Sequence, residues 1–213
     1  MKKNILTLLI LIAASGAFAQ STQKPAKRDV NSKRFGQSYE WHDGDQVKHV
    51  WLNPEVIALI KSDETSENEL QKEFPSAKKL RVGRGGLKFW RVRGANSSTH
   101  SRIREFNVKS RDNASSSTGV SEVFHDGPVE STSARILPGG IILSFPIAWS
   151  EKRCREWIAA KGHIIERVVE SSPNTYVVKS EPGLPTLEEA NRLHATGDLV
   201  VSSPDWLIDV KSR

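Results

Sequence analysis

The sequence places the residue types of a hydrolytic triad together at one point, where His125 and Asp126 precede Ser131 and Ser133. A serine nucleophile needs a base and an orienting carboxylate in a fixed geometry, so these types alone carry little weight. The G-x-S-x-G turn that exposes the nucleophile in many hydrolases does not occur in the sequence. We therefore predict that the protein is not an enzyme.

Histidine, cysteine and glycine residues give no sign of a metal or cofactor site. The six histidines are scattered without an H-E-x-x-H pattern, and Cys154 is the only cysteine. Structural zinc sites need clustered ligands. Gly83, Gly85 and Gly86 read as a hairpin turn, because no strand–G-x-G-x-x-G–helix order surrounds them. We predict no metal and no cofactor, and the place of Cys154 on an apolar helix stripe favours a buried thiol over a reactive one.

A basic stretch is the other candidate for chemistry. Residues 78–111 contain eleven Lys or Arg and one acidic residue, Glu105, with Phe89 and Trp90 interleaved. Basic residues beside aromatic ones can bind a polyanion. The side chains that would do so are Lys78, Lys79, Arg81, Arg84, Lys88, Arg91 and Arg93. The simpler interpretation is a solvated face or one that meets an acidic partner, and without a known nucleic-acid-binding signature we predict no nucleic-acid partner.

The first 19 residues have the pattern of a secretory signal peptide. Two lysines precede an apolar run over residues 5–14, and the A-x-A pattern predicts cleavage between Ala19 and Gln20. The run is shorter than the roughly 20 residues that span a bilayer. We predict an exported protein, periplasmic or extracellular, with no stable membrane span. Residues 20–37 are polar and basic, which predicts a disordered arm.

The rest of the chain alternates strand and helix patterns, which predicts an α+β fold. In residues 38–94 we predict a hairpin turn at 42–45, a strand at 56–60, a helix at 65–74 and strands at 79–83 and 87–93. Residues 95–119 read as a Ser-rich linker with one edge strand at 102–109. The later strands fall at 141–145, 164–169, 175–179 and 199–208, with helices at 151–161 and from an N-cap at Thr186 to Gly197.

The later elements follow the order β-α-β-β-α-β, the split β-α-β arrangement of ferredoxin-like domains. We predict one antiparallel sheet there, with both helices on one face. The earlier region repeats strand, helix, strand, strand at a spacing of about 85 residues, which predicts a partial duplication without the second helix and last strand.

Six segments of residues 120–213 stand out by their order and spacing: 122–127 (EVFHDG), 137–145 (LPGGIILSF), 162–167 (GHIIER), 173–179 (PNTYVVK), 189–193 (EANRL) and 203–207 (SPDWL). Together they resemble the N-terminal propeptide of secreted subtilisin-like serine proteases. The segments that mark a subtilase active site, Asp-Thr/Ser-Gly, His-Gly-Thr and Gly-Thr-Ser, do not occur in the chain. The resemblance implies a stand-alone propeptide-like protein that binds a secreted subtilisin-like protease as inhibitor, folding chaperone or both.

The resemblance also implies how such a protein would bind. In the family, the sheet of the propeptide packs on the protease and the extended C-terminal tail lies in the substrate cleft. Here the tail would be Val210, Lys211, Ser212 and Arg213, with Arg213 just before the scissile-bond position. The alternatives are an exported polyanion-binding protein that uses the basic stretch, or the remnant of a protease gene.

Overall fold

The computed structural model describes residues 35–61, 63–92, 97–112, 119–130 and 133–210, which lie in one compact unit. The predicted signal peptide, its cleavage site and the basic arm up to residue 34 lie outside the described residues. The fold is α+β with antiparallel sheets, as predicted. In chain order the elements are β1 Ser38–Asp43, β2 Gln46–Ile60, α1 Glu64–Glu73, β3 Lys78–Val82, β4 Lys88–Arg91, α2 Ser97–Asp112, β5 Gly119–His125, β6 Ser133–Ile136, β7 Gly140–Ser144, α3 Glu151–Ala160, β8 Ile165–Val168, β9 Thr175–Lys179, α4 Leu184–His194, β10 Val201–Pro204 and β11 Leu207–Val210.

Two sheets organise these elements. The larger has seven strands in the order β11-β6-β5-β2-β4-β3, and β1 pairs with the first part of β2. The smaller has four strands in the order β10-β7-β9-β8. All pairings are antiparallel. The strand predicted at 56–60 is the second part of a longer strand, β2. The register of β2 against β5 shifts between Asn53 and Ile57.

The two halves of the chain have the same element and strand order. From β2 to β5 the chain runs strand, helix, strand, strand, helix, strand, and the sheet order is β5-β2-β4-β3. From β7 to β10 it runs in the same sequence, and the sheet order is β10-β7-β9-β8. The predicted absence of a second helix and last strand from the first half is therefore wrong, because α2 and β5 fill those places.

Helix α4 lies between the two sheets and packs on both. Ala190 and Leu193 join the core of the smaller sheet, while Leu184 and Leu187 pack with Trp41 and other side chains of the larger one. Burying apolar side chains on two sides of one helix ties the halves together, since each contact removes apolar surface from water. Strands β5, β6 and β11, which lie in the predicted region 120–213 or at its start, belong to the larger sheet.

Helix α2 replaces the predicted linker and its edge strand at 102–109. The buried positions Ile103, Phe106, Asn107 and Ser110 follow the helical spacing i, i+3, i+4, i+7. Two of these four are polar, which weakened the apolar pattern in the sequence. Asn107 is satisfied in the core because its side chain donates to the backbone oxygen of Val120 at 2.9 Å and accepts from its N–H at 2.7 Å.

Several smaller predictions also need correction. Thr186 is not the N-cap of α4, which begins after Gly183; its hydroxyl donates to the backbone oxygen of Glu181. The predicted arm ended at residue 37, but Phe35 is buried and its ring stacks on His125 with centroids 5.2 Å apart. By contrast, the Ser150 N-cap of α3 is confirmed, since its side chain accepts from the N–H of Arg153 at 3.3 Å.

Candidate functional site

The smaller sheet has one face covered by helices and one face without them. Side chains on the covered face pack against α3 and α4; they are Ile141, Leu143, Tyr176 and Val178 on the sheet and Cys154, Ile158, Ala190 and Leu193 on the helices. Cys154 is buried, as predicted, and burial raises the pKa of its thiol. Because successive side chains of a strand alternate between faces, the residues between these lie on the opposite face.

A row of side chains crosses that open face at one level of the sheet. Register pairs Ser203 with Ile142, Ile142 with Val177, and Val177 with Arg167, from one edge strand to the other. Ile142 is half-buried and Arg167 is exposed. Among the described residues, no helix contributes to a core on this side. Ser203 and Val177 are buried, so the accessible part of the row consists of the half-buried Ile142 and the exposed Arg167 at the edge.

An ion pair crosses the same face. Arg167 Nη2 donates to Asp205 Oδ2 at 3.0 Å, and the backbone N–H of Asp205 donates to the oxygen of Gly140 at 2.9 Å. A side chain at Gly140 would place its Cβ 3.1 Å from that of Asp205. Gly140, Asp205 and Arg167 thus surround Val177, which explains why it is 1% exposed without a helix above it.

The C-terminal strand departs from the predicted course. The last strand of the smaller sheet was expected to run to residue 208 with a bend at Pro204. Instead β10 ends at Pro204, and the chain enters the larger sheet as β11, which pairs with β6. Val210, the first residue of the predicted tail, is the register partner of Ser133. Lys211, Ser212 and Arg213 lie outside the described residues.

Asp209 fixes β11 to the far end of the larger sheet. Its side chain is 2% exposed, and its Oδ2 accepts from Arg81 Nη1 at 2.5 Å while its Oδ1 accepts from the Arg84 N–H at 3.0 Å. Because Arg81 lies on β3 and Asp209 on β11, these bonds join the two ends of the strand order, so the sheet curls towards closure. Burial alone would raise the pKa of Asp209, but the hydrogen bonds and the arginine charges outweigh it and lower the pKa.

The predicted polyanion-binding residues do not share one free surface. Lys79 and Lys88 both pair with Glu67 on α1, and those hydrogen bonds lower the pKa of the Glu67 carboxyl. Arg81 pairs with Asp209. Lys78, Arg84 and Arg91 have exposed side chains, and Arg93 lies outside the described residues. The pairing leaves fewer free positive charges than the sequence suggested.

Among the described residues, His125 and Asp126 make contacts other than those of a catalytic triad. His125 is 2% exposed, its Nδ1 donates to the backbone oxygen of Ser133 at 2.9 Å, and its Nε2 accepts from Asn53 Nδ2 at 3.5 Å. Asp126 accepts instead from Arg135 Nε at 2.5 Å. Ser131 lies outside the described residues. The imidazole therefore meets an amide and a carbonyl where a catalytic base needs a carboxylate and a hydroxyl.

A buried ionic contact that the sequence analysis missed holds the start of α4. Glu122 has a side chain that is 5% exposed; its Oε1 accepts from His100 Nδ1 at 2.9 Å and its Oε2 from the Leu184 N–H at 3.0 Å. The hydrogen bond to Glu122 raises the pKa of His100. A carboxylate at the N-terminus of a helix is stabilised by the free N–H groups there. Glu122 lies 62 residues before Leu184, so no local pattern could have indicated this cap.

No family model and no curated protein matches the chain. Within the part of the chain that the structure describes, no group of three or more His, Cys, Asp or Glu side chains could hold a metal ion. No helix of that part is long and apolar enough to cross a membrane.

Proposed function

We propose that this protein is exported and binds a secreted subtilisin-like serine protease, as inhibitor, folding chaperone or both. The observation that supports this proposal most directly is the arrangement from β7 to β10. Two helices cover one face of a four-stranded antiparallel sheet whose order is β10-β7-β9-β8, and the other face is open. A ferredoxin-like unit with an open sheet face is what the resemblance to subtilase propeptides implies for this region.

We further propose that the first half is a complete second ferredoxin-like unit. Its strand order β5-β2-β4-β3 is equivalent to that of the second half. The helices α1 and α2 pack on one side of its strands through Leu70, Phe74, Ile103 and Phe106. In this proposal the duplicated unit supplies β5, β2, β4 and β3 of the larger sheet, and β6 and β11 extend that sheet at the β5 edge. The second unit keeps the free face and is therefore the docking candidate.

The proposed contact with the protease is made by the row that contains Ile142, with Arg167 at its edge. Four strands about 4.8 Å apart and five residues long at about 3.4 Å per residue give a face of roughly 330 Å². A stable interface buries about 800 Å² on each partner. The face alone is too small, so neighbouring loops or the residues after β11 have to contribute to a tight complex.

Only the residues after β11 remain for the proposed insertion of the C-terminal tail into the protease cleft. Val210 is the last residue of a paired strand, so cleft insertion would rest on Lys211, Ser212 and Arg213. A desolvated, charge-assisted arginine contact can dominate the affinity of an interface. An arginine at the end of the tail would suit a protease whose pocket is lined by carboxylates, as in the kexin-like branch of the family.

The mature protein, residues 20–213, should be tested for inhibition of subtilisin-like and kexin-like secreted proteases and for a one-to-one complex by size-exclusion chromatography with light scattering. Ile142→Asp is the test variant, since it places a charge at the centre of the open face. Val47→Asp is the matched control, because Val47 is an exposed apolar strand residue of the larger sheet. Removal of residues 211–213 tests the tail separately.

We expect Ile142→Asp to weaken inhibition at least tenfold while Val47→Asp leaves it unchanged. Refolding yield of a protease domain expressed without its propeptide should rise in the presence of the wild-type protein, because a ligand that binds the native state favours it by mass action. Failure of the wild-type protein to inhibit, to form a complex and to assist refolding across the panel would refute the proposal. A steep salt dependence of heparin binding in that case would favour the polyanion alternative.

A further inference from the structure

The concave face of the larger sheet contains a cavity of about 180 Å³. It lies between the β3–β4 side of the sheet and the β5–β6 side, near the point where Arg81 and Asp209 join the two ends. Phe89, Val123 and Ala134 form its buried apolar wall, and Val56 adds a partly buried side chain. The mouth of a curled sheet is a common place for a small-molecule site in proteins.

The sheet registers show that the polar rim faces the same side as this apolar wall. Val56 is the register partner of Arg91, and Arg91 that of Lys78, so the three side chains stand in one row. Val56 and Arg91 line the cavity itself, and Lys78 is the neighbour of Arg91 on the edge strand β3. Phe89 is the partner of Arg81, whose guanidinium lies 3.7 Å from the centroid of its ring. Cationic groups therefore stand above an apolar floor.

Without a bound anion, the two like charges of Lys78 and Arg91 at the rim oppose folding. Like charges directly opposite each other on neighbouring strands destabilise a sheet. Neither side chain has a carboxylate partner among the residues that the structure describes, whereas Lys79, Lys88 and Arg81 on the same two strands each have one. An anion bound at the rim would compensate both charges.

Two deeply buried polar side chains, Asn53 and His125, line the inner wall. Asn53 is 6% exposed; its Oδ1 accepts from the Glu55 N–H at 3.1 Å and its Nδ2 donates one hydrogen to His125 at 3.5 Å. A side-chain amide has two N–H donors, and among the described residues His125 is the acceptor found for them. The exposed Glu130 also lines the cavity. Its negative charge would repel an anion beside it, so the anionic part of a ligand is expected at the Lys78–Arg91 end.

We propose that this cavity binds a small apolar ligand that carries a carboxylate, with the apolar part against Phe89 and Val123 and the carboxylate at Lys78 and Arg91. The volume suits a short alkyl chain or one large apolar residue at a peptide C-terminus. Those two sources share the same chemistry. The site is on the larger sheet, away from the open face of the smaller one, and is independent of the proposed protease contact.

Binding can be measured by two-dimensional NMR titration and calorimetry on residues 20–213, with octanoate, octanol and N-acetyl-phenylalanine as probes. Shifts centred on the amides of Val56, Val123 and Ala134 would locate the probe in the cavity. The test variant is the double substitution Lys78→Gln and Arg91→Gln. The control is Lys152→Gln together with Arg153→Gln, because it removes the same charges from the exposed helix α3.

We expect octanoate to bind at least tenfold more tightly than octanol, which corresponds to about 1.4 kcal/mol, because only octanoate can form charge-assisted hydrogen bonds at the rim. The double Lys78/Arg91 variant should lose that difference. Tighter binding of N-acetyl-phenylalanine than of octanoate would assign the site to peptide C-termini, and the reverse order to free acids. No binding of any probe at millimolar concentration overturns the proposal. Equal binding of octanoate and octanol also overturns it, as does an equal loss of octanoate affinity in the α3 control.

Discussion

Substituting Asp209 by alanine should destabilise the protein far more than its position near the C-terminus suggests. The carboxylate is 2% exposed and accepts two hydrogen bonds, from the Arg81 guanidinium and from the Arg84 N–H. Hydrogen bonds to a charged group contribute about 1.5–3 kcal/mol each. Arg81 keeps 27% of its side chain exposed and can rehydrate when Asp209 is removed, so we expect a loss of about 2–4 kcal/mol.

Urea denaturation followed by tryptophan fluorescence would measure this loss, since the chain has six tryptophans. The expected change corresponds to about 5–15 °C in Tm for a protein of this size. Arg81→Ala alone is ambiguous, because it also removes the contact with the Phe89 ring. A double-mutant cycle with Asp209→Ala separates that contact from the ion pair, and we expect a coupling of about 1–3 kcal/mol.

Asp205→Ala is the matched control for Asp209→Ala. It breaks another Asp–Arg pair, with Arg167, but here 33% and 53% of the two side chains are exposed. Exposed pairs contribute at most about 1 kcal/mol. If both alanine substitutions cost the same, or if Asp209→Ala costs less than 1 kcal/mol, the closing role assigned to Asp209 is wrong.

The Asp209 contribution should also depend on pH with a definite sign. Its pKa in the folded protein lies below the ordinary value of 3.8, so the unfolded chain binds the proton more readily. The stabilisation is present above pH 3.8 and is lost as the pH falls below that value through the folded-state pKa. The difference in stability between wild type and Asp209→Ala should therefore shrink in strongly acidic solution.

Three further outcomes can be checked by the same denaturation assay. Gly183→Ala should cost at least about 2 kcal/mol, because Gly183 has φ +84° and an added Cβ would lie too close to the Glu122 carboxylate; wild-type stability would contradict the assigned cap. His42 stacks on His194 with ring centroids 3.7 Å apart, and burial together with that neighbour lowers the pKa of His42 from 6.5. The unfolded state therefore binds more protons, and stability falls as the pH drops through and below 6.5. His42→Phe should reduce this fall between pH 7 and 5, and parallel stability curves for the two proteins would refute the reasoning. Trp157→Ala should cost about 1–3 kcal/mol, less than a core tryptophan, since Trp157 is only partly buried and its Nε1 donates to the exposed Asp198; a loss above 4 kcal/mol would show a fully buried role.

The sequence by itself determined the elements whose signals are local. Helix α3 has its N-cap Ser150 and a stripe containing Cys154 and Ile158, and it begins at the predicted residue and ends one residue early. The hairpin between β1 and β2 and strand β9 also lie where turn residues and β-branched runs predicted them. In each case the interacting groups are within a few residues of one another, so the pattern is complete in the local sequence.

Only the tertiary structure decided the elements that depend on distant partners. Helix α2 has polar Asn107 on its buried face, which is stable because the backbone of Val120 satisfies it. The start of α4 is capped by Glu122 and requires Gly183 to leave room for that carboxylate. After β10 the chain leaves the smaller sheet and joins the larger one as β11, because β6 offers an edge for pairing and Arg81, 128 residues away in the sequence, binds Asp209. Such contacts have no periodicity in the chain, since the partner that lowers the free energy is brought near only by folding.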